Sequence, residues 1–123
     1  MNDAGFLEDL TIPDQTVVDP GAELDKRWSV QNRGSCDWGP GYHLLHISND
    51  AFSTMDEIAL YPASAGSMAV WQVQLVAPLD PGEHISIWQA RAPDGALFGE
   101  QVYLWVVVAT PMASPTSRGT PTN

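Results

Sequence analysis

The sequence predicts an all-β fold, and two of its features indicate this. Apolar residues recur at every second position in several runs, for example Trp28 and Val30 or Trp71, Val73 and Leu75, which is the period of a strand with one buried face. Turn-forming Pro, Gly and Asp residues separate these runs. No stretch of about ten or more residues keeps an apolar stripe at helical spacing, so no helix is expected.

The expected strands follow one another along the chain with turn signals between them. Their alternating runs are enriched in β-branched and aromatic residues, as pleated and partly buried strands are. They cover residues 6–12, 16–18, 23–31, 42–47, 57–61, 68–77, 83–91 and 101–108. About seven to eight short strands in a chain of this size predict an immunoglobulin-like antiparallel β-sandwich. The longest connection, residues 48–56, is the expected mobile loop.

Composition changes at both ends of the chain divide it into three segments. Residues 1–5 are polar and are expected to form a flexible N-terminus without the basic and apolar regions of a signal peptide. Residues 6–108 form the expected folded domain. Residues 109–123 are rich in Ser, Thr and Pro, and such a segment cannot offset its ordering entropy by burial. They are therefore expected to form a solvated tail or linker.

Charge and cysteine content exclude several classes of partner. The 123 residues include 15 Asp and Glu against 5 Lys and Arg, a formal net charge of −10. Binding nucleic-acid phosphates requires clusters of basic residues, so no nucleic-acid partner is expected. The longest apolar run, residues 102–109, is far below the roughly 20 residues of a membrane-spanning helix, so no membrane insertion is expected. The single Cys36 cannot form an internal disulfide or a Cys-based zinc site.

The residues that could support chemistry do not form a constellation. His43 and His46 have a spacing seen in metal sites, but three residues along a strand place the two rings on opposite faces. The carboxylates of Asp50, Asp56 and Glu57 could bind Ca²⁺, yet their spacing matches no known calcium loop. Ser, His and Asp occur without a nucleophile elbow or a phosphate-binding loop. We expect no catalytic residues, no metal and no cofactor.

A set of motifs resembles a known family. The run Lys26-Arg27-Trp28-Ser29-Val30-Gln31-Asn32 is followed by Asp37-Trp38 and, much later, by Phe98-Gly99. In this order and spacing the sequence resembles the four-tryptophan immunoglobulin-like domain, as found in the neighbour-of-breast-cancer-gene autophagy receptor and in bacterial surface proteins. The resemblance covers roughly residues 6–108 and implies an immunoglobulin-like fold and a protein-binding role. In bacteria the domain is part of larger secreted or surface-anchored chains.

The tryptophans of the resemblance are expected to be structural. Three family tryptophans fall on Trp28, Trp38 and Trp88, and the fourth falls on Tyr103. Trp28 and Trp88 lie in mid-strand positions where a large apolar body anchors a sandwich core, and Trp38 is expected to close one end of that core. Lys26 shares the inward phase of Trp28, so its stem is expected to lie on apolar surface while its ammonium reaches water.

The outward positions of three strands are unusually apolar. Trp88, Leu44 and the alternate residues from Val102 are expected to point inward, so their sequence neighbours point outward. In an immunoglobulin sandwich these three strands, C, F and G, are adjacent in one sheet. The candidate interaction face contains Leu45, Ile47, Ile85, Ile87, Tyr103, Trp105 and Val107. Two alternatives remain open: this face is covered by the tail, the 48–56 loop or another domain, or one strand is misregistered by a residue.

These observations predict a non-catalytic protein-interaction or adaptor module that binds through the outer face of its C-F-G sheet. Its expected partner is a protein, a peptide or a neighbouring domain of the same chain, with a weak homodimer left open. The tail composition and the resemblance predict a bacterial protein located outside the cell or on its surface. Two alternative functions are a carbohydrate-binding module, with Trp105, Tyr103 and Trp71 stacked on sugar rings, and a passive structural spacer.

Overall fold

Residues 1–110 form nine β-strands, and the prediction of an all-β immunoglobulin-like sandwich is confirmed. The computed structural model describes residues 1–110, and no helix occurs among them. The strands are β1 (Gly5–Asp9), β2 (Thr16–Val18), β3 (Glu23–Gln31), β4 (His43–His46), β5 (Ser53–Thr54), β6 (Glu57–Ala59), β7 (Met68–Val76), β8 (Gly82–Arg91) and β9 (Leu97–Val108).

The strands form two sheets. One sheet has the order β1-β3-β7-β5 and the other the order β2-β9-β8-β4-β6. Every pairing is antiparallel except that of β2 with β9, which is parallel. This exception to the expected antiparallel pattern arises because the chain crosses from β1 to the edge of the other sheet. It then runs beside the end of β9 before it turns back into β3.

The strand boundaries differ most from expectation in three places. The first strand ends at Asp9 rather than residue 12, because the chain turns sharply afterwards and Ile12 and Gln15 adopt left-handed φ angles of 48° and 66°. The expected loop 48–56 contains the short strand β5. The last strand begins at Leu97, and a register irregularity between Trp88 and Ala90 accommodates its first residues beside β8.

The ends of the domain are described only in part. Ala4 is buried, and its carbonyl oxygen accepts a hydrogen bond of 2.9 Å from the Glu100 amide. The strand β1 begins at Gly5, one residue before the expected domain boundary. The flexibility of residues 1–5 stays a prediction, and the predicted tail beyond Thr110 lies outside the described residues.

Four tryptophans fill the space between the sheets. Trp28, Trp38, Trp71 and Trp88 are all at most 2% exposed. The Trp28 Nε1–H donates to the Tyr103 carbonyl oxygen at 3.0 Å, and the rings of Trp38 and Trp71 lie 5.7 Å apart between centroids. Each buried indole removes roughly 150–250 Å² of surface from water, so these residues dominate the stability of a domain of this size.

Lys26 lies in the core rather than reaching water, which corrects the expectation for this residue. Its side chain is completely buried, and Nζ donates to Asp9 Oδ1, Thr11 O and Ile12 O at 2.8 Å each. The end of β1 brings the Asp9 carboxylate to the ammonium, and the turn that follows brings two carbonyl groups. The three Nζ–H groups thus find three acceptors inside the protein, and water is not needed.

Candidate functional site

The structure brings the seven predicted face residues together on the outer side of β4, β8 and β9. Ile85 lies opposite Trp105, and Ile87 lies opposite Tyr103. The Ile47 amide donates to the Ile87 carbonyl oxygen at 2.9 Å, which extends this second row into the segment after β4. Directly opposed residues on neighbouring strands contact each other through their side chains. We call Leu45, Ile47, Ile85, Ile87, Tyr103, Trp105 and Val107 the outer apolar face.

The exposure of these residues fits a sheet surface that faces solvent. Ile85 and Tyr103 are each 43% exposed, and the other five members are half-buried. The alternate residues Ser86, Trp88 and Leu104 have no exposed surface. The register is therefore the expected one, and a shift by one residue is excluded in β8 and β9.

Acidic side chains border the outer apolar face. Trp105 Nε1 donates to Glu83 Oε1 at 3.0 Å, and the Tyr103 hydroxyl donates to Asp14 Oδ2 at 3.4 Å. The negative charge of Asp14 raises the pKa of Tyr103, since it disfavours the phenolate. On the opposite border, Glu57 pairs with Arg91 at 3.0 Å. The face thus has an apolar centre and a rim that is partly anionic.

A hydrogen-bond network holds the 48–56 loop at one edge of this face. The ring of His46 stacks on Trp88 with centroids 4.7 Å apart, and its Nε2 lies 2.7 Å from Asp50 Oδ2. Burial works to raise the pKa of Asp50, but hydrogen bonds from Ser48, His46 and the Phe52 amide outweigh it and lower that pKa. The Ser48 hydroxyl also accepts a hydrogen bond of 2.8 Å from the Ile87 amide. These polar contacts join the loop to β4 and β8, and Ile85 is left 43% exposed.

A notch between β1 and β9 adjoins the face, and no pattern in the sequence indicated it. It has a volume of about 110 Å³ and is lined by Phe6, Asp9, Asp14, Gln101, Val102 and Tyr103. Asp14 and Tyr103 are 89 residues apart in the chain, so only the tertiary structure makes them neighbours.

The remaining candidates for chemistry stay separate. His43 lies 3.7 Å from Glu57 on the surface, while His46 stacks on the core, so the two rings do not converge. Among residues 1–110 no three His, Cys, Asp or Glu side chains are grouped as metal ligands. No helix in that same part of the chain is long and apolar enough to span a membrane. Trp71, a candidate sugar platform, is 2% exposed and cannot stack on a ligand.

Several eukaryotic proteins are similar to this chain over most of its length. The Protein NBR1 homolog of Arabidopsis thaliana is 36% identical over 86% of this chain and 15% of its own length. Protein JOKA2 of Solanum tuberosum is 30% identical over 92% of this chain and 14% of its own length. Protein ILRUN of Danio rerio is 27% identical over 85% of this chain and 36% of its own length. The chain thus spans only a small part of these relatives.

Among solved structures, this chain aligns with WR4, a member of the MSP family of C. elegans. It has a TM-score of 0.45 and 10% sequence identity, over 89% of this chain and 98% of that chain.

Two expectations about the origin and location of the chain are wrong. The matched relatives come from plants, a fish and mammals, which contradicts a bacterial surface protein. These relatives are intracellular eukaryotic proteins, which contradicts an extracellular or cell-surface location. The tail composition misled because Ser, Thr and Pro set the stiffness and solvation of a segment and carry no information about its compartment.

The family model described as the Ig-like domain from next to BRCA1 gene matches residues 11–109. This match covers nearly all of the sandwich, from the turn after β1 to the residue after β9. The resemblance to the four-tryptophan domain is thereby confirmed, and the chain belongs to the family of Ig-like domains from next to BRCA1 gene.

Proposed function

We propose that this chain is a non-catalytic protein-interaction module that binds a partner protein through its outer apolar face. The observation that carries the proposal is the placement of Ile85, Ile87, Tyr103 and Trp105 as directly opposed pairs on the solvent side of β8 and β9. The opposite side of the same two strands already supplies buried core residues. The outer apolar residues are therefore not needed to build the sandwich.

The composition of the face supports contact with a protein. Aromatic and aliphatic side chains at the centre of a patch provide most of the binding energy of protein interfaces, and a polar rim excludes water around them. Here Tyr103 and Trp105 supply the aromatic groups, and Ile85 and Ile87 supply the aliphatic ones. Contiguous apolar surface of this kind is uncommon on proteins without such a partner.

The rim favours a partner with basic residues around an apolar centre. Glu83 and Asp14 lie at the border of the face and hydrogen-bond to its aromatic side chains. The chain carries a formal net charge of −10, and complementary charge accelerates association and disfavours wrong partners. Family membership supports the same class of function.

A quantitative capture experiment with two charge-matched variants tests this proposal. The Ile87→Glu/Trp105→Glu double variant adds two carboxylates to the outer apolar face. The Ser29→Glu/Gln31→Glu double variant adds two carboxylates to outward positions of β3 on the other sheet. Each chain is immobilised and exposed to extract from a eukaryotic cell, and the retained proteins are quantified by mass spectrometry beside the wild type.

The wild type should retain a set of proteins whose amounts fall at least ~10-fold with Ile87→Glu/Trp105→Glu. Each hot-spot residue that is lost weakens binding by about 2 kcal/mol or more. The same set should stay within about twofold with Ser29→Glu/Gln31→Glu. Near-ultraviolet circular dichroism checks that both variants are folded. Equal retention by the two folded variants would contradict the proposal.

A further inference from the structure

The strand β7 has one edge that is mostly without a partner strand. Along its other edge, all nine residues from Met68 to Val76 pair with β3. On the free side only Thr54 and Ser53 of β5 pair with it, opposite Leu75 and Val76. The chain then crosses to the other sheet, where β6 pairs with β4. The stretch from Met68 to Gln74 therefore has no partner strand over about 20 Å at the rise of a β-strand. Beside Val70 and Gln72, the segment after β6 lines a narrow space of about 20 Å³.

The hydrogen-bonding groups on this open edge can be assigned. The Ala77 amide donates to the Ala22 carbonyl oxygen, and the Asn32 amide donates to the Ser67 carbonyl oxygen. Because main-chain groups alternate sides along an antiparallel strand, odd-numbered residues of β7 face β3 and even-numbered residues face away. The Gln74 carbonyl oxygen accepts from Thr54 Oγ1 at 2.8 Å. The N–H and C=O groups of Val70 and Gln72 thus point outward without a partner strand.

The strand β7 itself carries none of the sequence features that usually protect a sheet edge. Proteins protect exposed edges with Lys, Pro, bulges or very short strands, and β7 contains no charged residue, no Pro and no Gly. The other edge strands of residues 1–110 are protected. β1 carries a register irregularity and two acidic residues, and β2, β5 and β6 are two or three residues long.

A cleft beside this edge can receive side chains. It has a volume of about 370 Å³ and is lined by Thr54, Met55, Ile58, Gln72, Val73 and Gln74. Met55, at 68% exposed, and the half-buried Ile58 give it an apolar wall. A strand laid along β7 would point every second side chain toward this cleft and the others toward solvent beside Val70, which is 39% exposed.

We infer that the open edge of β7 accepts an extended, basic segment of a partner polypeptide as an added strand. Outward main-chain donors and acceptors at Val70 and Gln72 recognise a strand backbone, and the cleft selects an apolar side chain at alternate positions. The charge of the occupant follows from the formal net charge of −10. A second copy of this chain would bring the same negative charge, whereas a segment rich in Lys or Arg is attracted. This surface is separate from the outer apolar face.

Amide hydrogen exchange of the full chain, read by nuclear magnetic resonance, tests the edge directly. In the free chain we expect the amides of Val70 and Gln72 to exchange at least ~100-fold faster than those of Trp71 and Val73, which face β3. The probe is a capped nine-residue peptide that alternates Lys with Val, at about 1 mM. It should slow exchange at Val70 and Gln72 by at least ~10-fold.

Three controls make the result specific. The same peptide with N-methyl groups at alternate residues cannot form the edge hydrogen bonds and should give no protection. The Val70→Pro chain lacks one outward donor and should lose the effect, while Val70→Ala keeps that donor and should retain it. Glu in place of Lys in the peptide should also abolish protection.

Two results on the free chain would overturn the inference: slow exchange of the Val70 and Gln72 amides, or protection that rises with protein concentration alone. Two results with peptide would also overturn it: no protection by the alternating peptide at about 1 mM, or equal protection by the N-methylated peptide. Changes confined to β8 and β9 would also reject the edge, while leaving the outer apolar face as a binding surface. The Ile87→Glu/Trp105→Glu chain should bind the peptide as the wild type does, so the two proposals fail or succeed separately.

Discussion

The two outer faces of the sandwich differ in chemistry although they belong to the same fold. At the centre of the four-stranded sheet, Arg27 forms two hydrogen bonds to the Asp25 carboxylate, and Gln72 adds a third at 3.0 Å. At the centre of the five-stranded sheet, Ile85, Ile87 and Tyr103 occupy the corresponding outward positions. One centre is polar and internally hydrogen-bonded, and the other is apolar.

This difference separates the requirements of folding from those of function. A sandwich needs one apolar face on each sheet, and the inner faces already meet that need with fully buried residues such as Trp28 and Trp88. The polar outer face shows that folding does not require apolar outward residues. The apolar outer face therefore supports the proposed binding role and adds little to stability.

The largest expected effect on stability comes from removing the inward side chain of Trp88, whose neighbour in the chain, Ile87, points outward. Trp88→Ala should lower the free energy of unfolding by about 3–5 kcal/mol, because it leaves a large cavity in the core. Ile87→Ala, one residue away on the outer apolar face, should cost about 1 kcal/mol or less. Urea unfolding followed by far-ultraviolet circular dichroism measures both. Similar losses for the two variants would show that the outer apolar face is part of the folding core.

A second large effect concerns the one charged side chain on the inner face of β3. Lys26→Met should lower the free energy of unfolding by about 3 kcal/mol, because Asp9 and the carbonyl groups of Thr11 and Ile12 lose their donor. Arg27→Met, at the next and outward position, should cost under about 1 kcal/mol. The same urea experiment compares them. A stable Lys26→Met chain would mean that water replaces the ammonium at these acceptors.

A smaller effect depends on pH and on the loop beside the outer apolar face. The pKa of Asp50 is lowered from 3.8 in the folded chain, so its contribution is fully present above that value and is lost as pH falls through the lower, folded pKa. Asp50→Asn should therefore cost on the order of 1 kcal/mol at pH 7, and this cost should shrink as pH falls below 3.8. The exposed Asp80→Asn is the control and should leave the pH profile unchanged. A pH-independent cost of Asp50→Asn would contradict this account.

The smallest expected effect is weak self-association through the outer apolar face. Two chains of charge −10 repel each other, so any dimer should strengthen as salt screens that repulsion. Sedimentation equilibrium at tens to hundreds of micromolar, in low and in ~0.5 M salt, should detect it for the wild type. Ile87→Glu/Trp105→Glu should stay monomeric under both conditions. A variant that associates as strongly as the wild type would place the contact elsewhere.

The sequence predicted the parts of this molecule that depend on local pattern. Alternation placed Ile85, Ile87, Tyr103 and Trp105 on the outward side because a strand has a fixed period of two. It could not reveal the acceptors of Lys26, since these come from the end of β1 and from the turn after it, where Ile12 has a left-handed φ angle. It also missed the parallel pairing of β2 and the open edge of β7, because both depend on which strands become neighbours.

The most direct test of the binding role is site-specific photocrosslinking from each outer face. The photoreactive residue p-benzoylphenylalanine replaces Ile85 in one chain and Ser29 in the other, and both are irradiated in the same eukaryotic extract. We expect discrete adducts from position 85 and none from position 29. Excess wild-type chain added before irradiation should suppress these adducts, whereas excess Ile87→Glu/Trp105→Glu chain should not. Equal adducts from both positions, or equal suppression of the adducts by both competitors, would contradict the proposed binding role of the outer apolar face.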